Sequence, residues 1–318
     1  MVSPMNALNG PATKRLTLDV TLPLCAGLAE AFAKVIRYAC DWSLRVEQEP
    51  EPAVHNFRKS IRRGRALLKL VAKLIPRADY DALAEELRGA MRETSAARDA
   101  DVLVSLVAAY PRKPKTQTAL DALQILLEEQ RAAVHSQARL KKAMTEGAEV
   151  LRSVPARLQA ALPATTCHAD LQLALRVSHR RARRARRRAR KSSEEDDVHS
   201  WRKRVKELRY QLELLAPLTG ERPQHVALAA LAEGLGEVTD LIVLRDCVLA
   251  HGERLQQRHQ VDAEPLLLKL EKKIARRQQE LIAESEALFA PKPAMFARRV
   301  LSGISPASSS GRMIAPCD

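Results

Sequence analysis

Aromatic residues make up only 3% of this 318-residue sequence. Proteins that grip single-stranded nucleic acid by base stacking need a platform of such rings, so scarcity weighs against that class. The five cysteines (Cys25, Cys40, Cys167, Cys247, Cys317) are odd in number and far apart, with no Cys-x-x-Cys pair. That spacing argues against a disulfide framework or a zinc site and for a reducing compartment. No apolar run approaches the roughly 18 residues that cross a bilayer. Met1 to Arg15 lacks the charged-then-apolar layout of a leader peptide. Strand signals are nearly absent, with alternating β-branched residues only near Thr17 to Leu22. These absences predict a soluble, intracellular, all-α protein with no membrane insertion.

What is present is helix-forming and basic. Hydrophobic residues amount to 46%, enough for a sizeable core, and 53 Lys and Arg face 38 Asp and Glu for a net charge of +15. A pI near 9.9 points to a polyanionic partner. Ala, Leu, Arg, Glu and Gln recur with helical spacing between Pro, Gly and Ser breakers, which marks about eight long helices. Residues 1–15 read as a flexible segment and 301–318, rich in Ser, Gly and Pro, as a disordered tail.

The most informative feature is an internal repeat. Val54-His55-Asn56-Phe57-Arg58-Lys59-Ser60-Ile61-Arg62 aligns without a gap on Val198-His199-Ser200-Trp201-Arg202-Lys203-Arg204-Val205-Lys206, at an offset of 144 residues. Arg98-Asp99-Ala100-Asp101-Val102-Leu103 echoes Thr239-Asp240-Leu241-Ile242-Val243-Leu244 at nearly the same spacing. The chain thus reads as two halves of about four helices each, 16–155 and 166–300.

Wound at about 100° per residue, the first copy gathers His55, Arg58, Lys59, Arg62, Arg65 and Lys69 into an arc of roughly 120°, over about 21 Å of helix. Phe57, Ile61, Gly64 and Leu68 fall on the opposite, core-facing side. The second copy repeats the stripe with His199, Arg202, Lys203, Lys206 and Arg209, joined by Tyr210, while Glu213 stands where Lys69 does in the first. Solvated helix faces mix signs in i,i+4 pairs. No acid occurs between His55 and Val71, so a bound anion is the expected counter-charge. A third basic element, HRRARRARRRARK from His179 to Lys191, carries a narrow seam of Leu171, Leu175, Ser178, Ala182, Ala185 and Ala189. Its other positions are mostly arginine, with Arg180, Arg183 and Arg187 as candidate anion contacts. Ser193 is a candidate N-cap for the next helix, which opens on acids.

This duplicated His-x-x-Arg-Lys helix, with Arg or Lys continuing every three to four positions, resembles the CHAD family (conserved histidine α-helical domain). Arg98-Asp99 and Leu235-Gly236-Glu237-Val238-Thr239-Asp240 resemble the acidic motifs of that family's halves, although Thr239 departs from the Arg-Asp step. The likeness covers roughly residues 16–300. It implies two pseudo-symmetric four-helix bundles whose basic faces converge on a central groove or pore that binds inorganic polyphosphate, and in some members association with polyphosphate granules. Many relatives carry an amino-terminal triphosphate tunnel domain. The short start here leaves no room for one, so no hydrolase or polymerase activity is expected from it. On this likeness His55, Arg58, Lys59, Arg62 and Arg65 share their roles with His199, Arg202, Lys203, Lys206 and Arg209, and Asp99 and Asp240 orient nearby arginines.

The residues themselves favour a phosphate polymer. Arginine forks and lysine point charges suit repeated phosphate oxygens, and no Asn or Gln on the stripes offers base readout. Nucleic acid, bound at low salt, is the alternative partner. A histidine-dependent phosphoryl transferase is a second alternative, although the stripes carry none of the carboxylates that hold Mg²⁺ in such enzymes. No cofactor and no metal are called for, since each stripe histidine has cationic neighbours that repel a metal ion. Oligomeric state is left open.

Overall fold

The computed structural model describes residues 16–92, 94–134, 137–192, 194–220 and 222–302. Among them are thirteen helices and no strand. The segments 1–15 and 303–318, and Ser193 with its capping role, lie outside the described residues. In chain order the first half holds α1 (Leu24–Ser43), α2 (Pro50–Leu70), α3 (Arg77–Arg92), α4 (Ser95–Ala109), α5 (Gln117–Val134), α6 (Gln137–Arg152) and α7 (Val154–Ala161). The second holds α8 (His168–Ser192), α9 (Glu195–Thr219), α10 (Pro223–His259), α11 (Glu264–Glu284), α12 (Glu286–Phe289) and α13 (Pro293–Leu301).

The breakers act where local chemistry lets them. Pro50, Pro223 and Pro293 open α2, α10 and α13, where a missing N–H costs nothing. Gly220, at φ 68°, closes α9, a left-handed step that favours glycine. Pro217 lies inside the last turns of α9 without ending it. Glu195, Asp196 and Asp197 fill the first turn of α9 and complement its positive end. Around Thr17 to Leu22 there is a turn rather than a strand; Leu18 N–H donates to the Leu214 carbonyl at 3.1 Å, pinning the start of the chain to α9.

Seven and six helical segments replace the four expected per half. The counterparts still match: α1 packs on α2 as α8 packs on α9, and α10, 37 residues long, spans the places of both α3 and α4. One apolar core runs through both halves, with Phe57 and Trp201 at equivalent positions and fully buried. Gly234 lets α11 press on α10, since a Cβ there would sit 2.4 Å from Leu281 Cδ2 and 2.9 Å from an Arg277 guanidinium nitrogen.

Among the described residues, the buried indole N–H of Trp201 has no hydrogen-bond partner, whereas its counterpart Phe57 has nothing to satisfy. Trp201→Ala should therefore destabilise by about 3–5 kcal/mol. Trp201→Phe should cost far less, because it removes the orphaned donor along with part of the ring. Urea midpoints of the two variants check this; equal losses would overturn it.

Candidate anion-binding site

The two repeat helices meet directly. Gln211 on α9 donates to the Ala66 carbonyl of α2 at 3.0 Å, Arg63 faces Glu213 at 3.4 Å, and Lys69 grips Glu207 at 2.5 Å. The numbers rise along α2 as they fall along α9, so the helices cross antiparallel. Under the 144-residue offset Arg63 corresponds to Glu207, and Lys69 to Glu213. Each ion pair thus joins one of the two α2 residues to the counterpart of the other, as an antiparallel crossing of a repeat requires. At these two places the second copy has acids where the first has bases, and a like-charge contact becomes an attractive one.

Beyond the crossing the stripes open onto one cavity of about 1220 Å³. Every stripe residue of the first copy lines it: His55, Arg58, Lys59, Arg62, Arg65 and Lys69. So do His199, Arg202, Lys203, Lys206, Arg209 and Tyr210 of the second. The far wall is α10, from Ala232 to Val243, with Val102 and Leu103 of α4 and Met91 closing the sides. Among the described residues, the lining holds eleven Lys and Arg against four carboxylates, Glu207, Glu233, Glu237 and Asp240. Tyr210 is the one aromatic in that lining, and its ring already faces the Arg63 guanidinium, 5.6 Å away.

A family model, the CHAD domain, matches residues 26–249. The chain belongs to the CHAD family. The crystal structure of the CHAD domain from the plant Ricinus communis is similar to it, with a TM-score of 0.60 and 20% identity over 91% of this chain and 95% of that one. That likeness shows the fold alone. No curated protein matches.

Within this CHAD domain the cavity residues are not equivalent. Arg58 is only 8% exposed and donates to the Met91 carbonyl at 2.6 Å and to Thr94 Oγ1 at 3.0 Å. It ties α2 to the junction of α3 and α4 as well as facing the cavity. Glu207, 6% exposed, also takes Arg204 at 3.0 Å, and Glu213 takes Arg209 at 2.6 Å. The C-terminal end of the first stripe is thus partly neutralised within the protein. Asp240 faces Arg202 and Lys206 and is the acid that favours their charged forms. The side chains of Arg98 and Asp99 lie outside the described residues.

Burial raises the electrostatic tension at the centre. It pushes the Lys206 ammonium down to about 7, with Arg202, Arg62 and Arg209 acting in the same direction against Asp240. Burial likewise pushes Lys59 down to about 8, with Arg63, Arg209 and Arg62 acting the same way against Glu213. His199 is lowered by burial and then by Lys203 and Arg202. These cations are held desolvated by the fold itself, a state that a polyanion would relieve.

Helix α8 differs from the expectation. Its seam is buried as the spacing predicts, but Arg180, Arg183 and Arg187 are not in the cavity lining; Arg188 is. The seam fixes the helix against α9 and α13 and leaves Arg180 and Arg187 exposed elsewhere. Arg188 sits close enough to α9 to bond Asp197 at 3.1 Å. Arg186 is spent on the core, bonding Ser285 Oγ, the Ile282 carbonyl and Glu286. His179 is fully buried, stacked 4.1 Å from Phe296 and pushed down to about 4 by burial. Arg204, Glu233 and Glu237 also line the cavity and were missed. Arg204 lies off the stripe, and nothing in the repeat told which face of α10 turns inward.

The pH dependence has opposite signs for folding and for binding. Unfolded lysine titrates near 10.5, above the values of about 7 and 8 for Lys206 and Lys59. Between those folded values and 10.5 the unfolded chain holds more protons. Stability of the free protein from these two groups therefore rises with pH across that window, with the full penalty present below about 7. Anion binding, which needs both ammoniums charged, should take up protons and weaken as pH rises from about 7 to about 9. Calorimetric titration in buffers of different ionisation enthalpy measures this. In Lys206→Arg, which stays charged, the step near 7 should vanish.

Proposed function

We propose that this protein binds inorganic polyphosphate in the cavity between α2 and α9 and does not transform it. The halves 16–155 and 166–300 act as two pseudo-symmetric bundles that present their basic faces to one ligand. The observation that carries this reading is the convergence of both copies of the stripe on one cavity with eleven cations in its lining. A repeat of one cation pattern suits a ligand that repeats one anion. A volume of about 1220 Å³ exceeds the 300–1,000 Å³ typical of small-molecule pockets, in keeping with a polymer segment. A single, already engaged aromatic offers little for base stacking. The four lining carboxylates are dispersed among cations, and among the described residues no cluster of three or more His, Cys, Asp or Glu could hold a metal ion. No helix among those residues is long and apolar enough to cross a membrane. A role in directing the protein to polyphosphate granules would follow from the same binding.

The exposed arginines of α8 favour weak, low-salt nucleic-acid binding as a secondary property. Competition among polyphosphate, ATP, RNA and duplex DNA for one labelled ligand separates the two readings. Polyphosphate should displace the label at the lowest concentration; displacement by RNA or DNA alone would reverse the assignment.

Because Arg58, Lys69, Arg204 and Arg209 are tied within the protein, about six to eight phosphate contacts are expected, giving a slope of log affinity on log salt of about −4 to −6. Lys59→Glu/Arg62→Glu and Lys203→Glu/Lys206→Glu should each weaken binding by about a hundredfold or more, from two lost charge-assisted contacts apiece. Circular dichroism should show helicity intact in both. Full affinity in either variant would make the site one-sided.

A binding module leaves its ligand whole. Incubated with Mg²⁺ and ATP, polyphosphate should keep its length on a gel and the protein its mass, and His55→Gln or His199→Gln should weaken binding only modestly. Steady chain shortening, or a phosphoryl mass gain that either variant abolishes, would make the protein an enzyme.

A further inference from the structure

Outside the cavity, two lysines crowd onto one ring, with a third nearby. The Lys269 and Lys273 ammoniums of α11 lie 5.6 and 5.2 Å from the centroid of Tyr110, at the end of α4. Lys113, three residues beyond Tyr110, is close enough to act with Lys273, after burial, in lowering the Lys269 pKa. None of these lysines forms an ion pair among the described residues. Their neighbours do: Arg112 bonds Asp121, Arg276 bonds Glu280, and Arg277 reaches Glu237, Glu280 and Glu284. The negative face of the Tyr110 ring holds two ammoniums together against their repulsion, yet leaves their charge uncancelled.

This patch is joined to the cavity along two helices. On α11, Lys269, Lys273 and Arg277 recur at four-residue spacing, a row about 12 Å long. Its Arg277 end bonds Glu237, a lining residue of the cavity, at 3.3 Å. On α4, Leu103 lines the cavity and Tyr110 stands seven residues on, about 11 Å further along the helix axis. Both paths lead from the cavity wall to the same uncompensated lysines.

We propose that Lys269 and Lys273 on Tyr110, with the neighbouring Lys113, form an external track for the part of a polyphosphate chain that extends out of the cavity, so that long chains are held at two contiguous stations. The proposal rests on the polyphosphate reading and adds to it a preference for length. A second station on a tethered ligand acts at high effective concentration and raises affinity without changing the first.

The test compares the wild type with Lys113→Gln/Lys269→Gln/Lys273→Gln, using two linear polyphosphates. One is no longer than the roughly 21 Å basic face of α2, the other many times that length. At physiological salt the screening length is about 8 Å, shorter than the distance from the patch to the cavity wall, so loss of remote field contributes little. The wild type should bind the long chain more tightly per molecule. The variant should lose about tenfold for the long chain and keep its affinity for the short one. Unchanged long-chain affinity, or equal weakening for both lengths, would overturn the track. Failure of the wild type to bind either chain would instead sink the polyphosphate reading, and the track with it.

Discussion

Two helices bearing the same cationic stripe cross antiparallel, and everything else about the site depends on how their repulsion is managed. Gln211 to Ala66 fixes the crossing through a neutral, buried bond. Arg63 with Glu213 and Lys69 with Glu207 convert the nearest like-charged positions into attractive ones. A buried carboxylate such as Glu207, given two cations, is tolerable only because they compensate it. The remaining cations are set apart around the cavity, where the lining carries more cations than carboxylates.

Stability and function pull against one another here. Burial depresses Lys59 and Lys206, which means the fold carries desolvated charge in its free state. That energy comes from the continuous apolar core running beneath both stripes, with Phe57 and Trp201 at its equivalent points. A bound polyanion would recover part of it. Preorganised, poorly solvated cations bind such a ligand more strongly than flexible surface lysines, which would have to be ordered first. The α11 lysines beside Tyr110 are the exposed counterpart of this arrangement and depend on an aromatic ring to collect them.

The second copy of the repeat is therefore not a plain duplicate. Glu207 and Glu213 depart from the first copy at the two positions where the helices meet, and both departures have the same physical reason. Similarly, Arg58 matches Arg202 in sequence, but Arg58 is bonded to the Met91 carbonyl and Thr94, while Arg202 faces Asp240. Equivalent residues thus have different partners within the protein.

The helical class, the core faces of α2 and α9 and all twelve stripe residues were legible in the sequence, because helical period and local charge patterning fix which side chains share a face. That Glu213 breaks the repeat was visible too, but not why, since its partner Arg63 is 150 positions away. Nor could the sequence say that the seam of α8 would place Arg188, rather than Arg180, Arg183 or Arg187, at the cavity. It could not show that Lys269 and Lys273 would gather on Tyr110. Periodicity assigns residues to faces of one helix; which faces meet, and so which charges are paired, buried or left open, is decided only when helices distant in sequence pack.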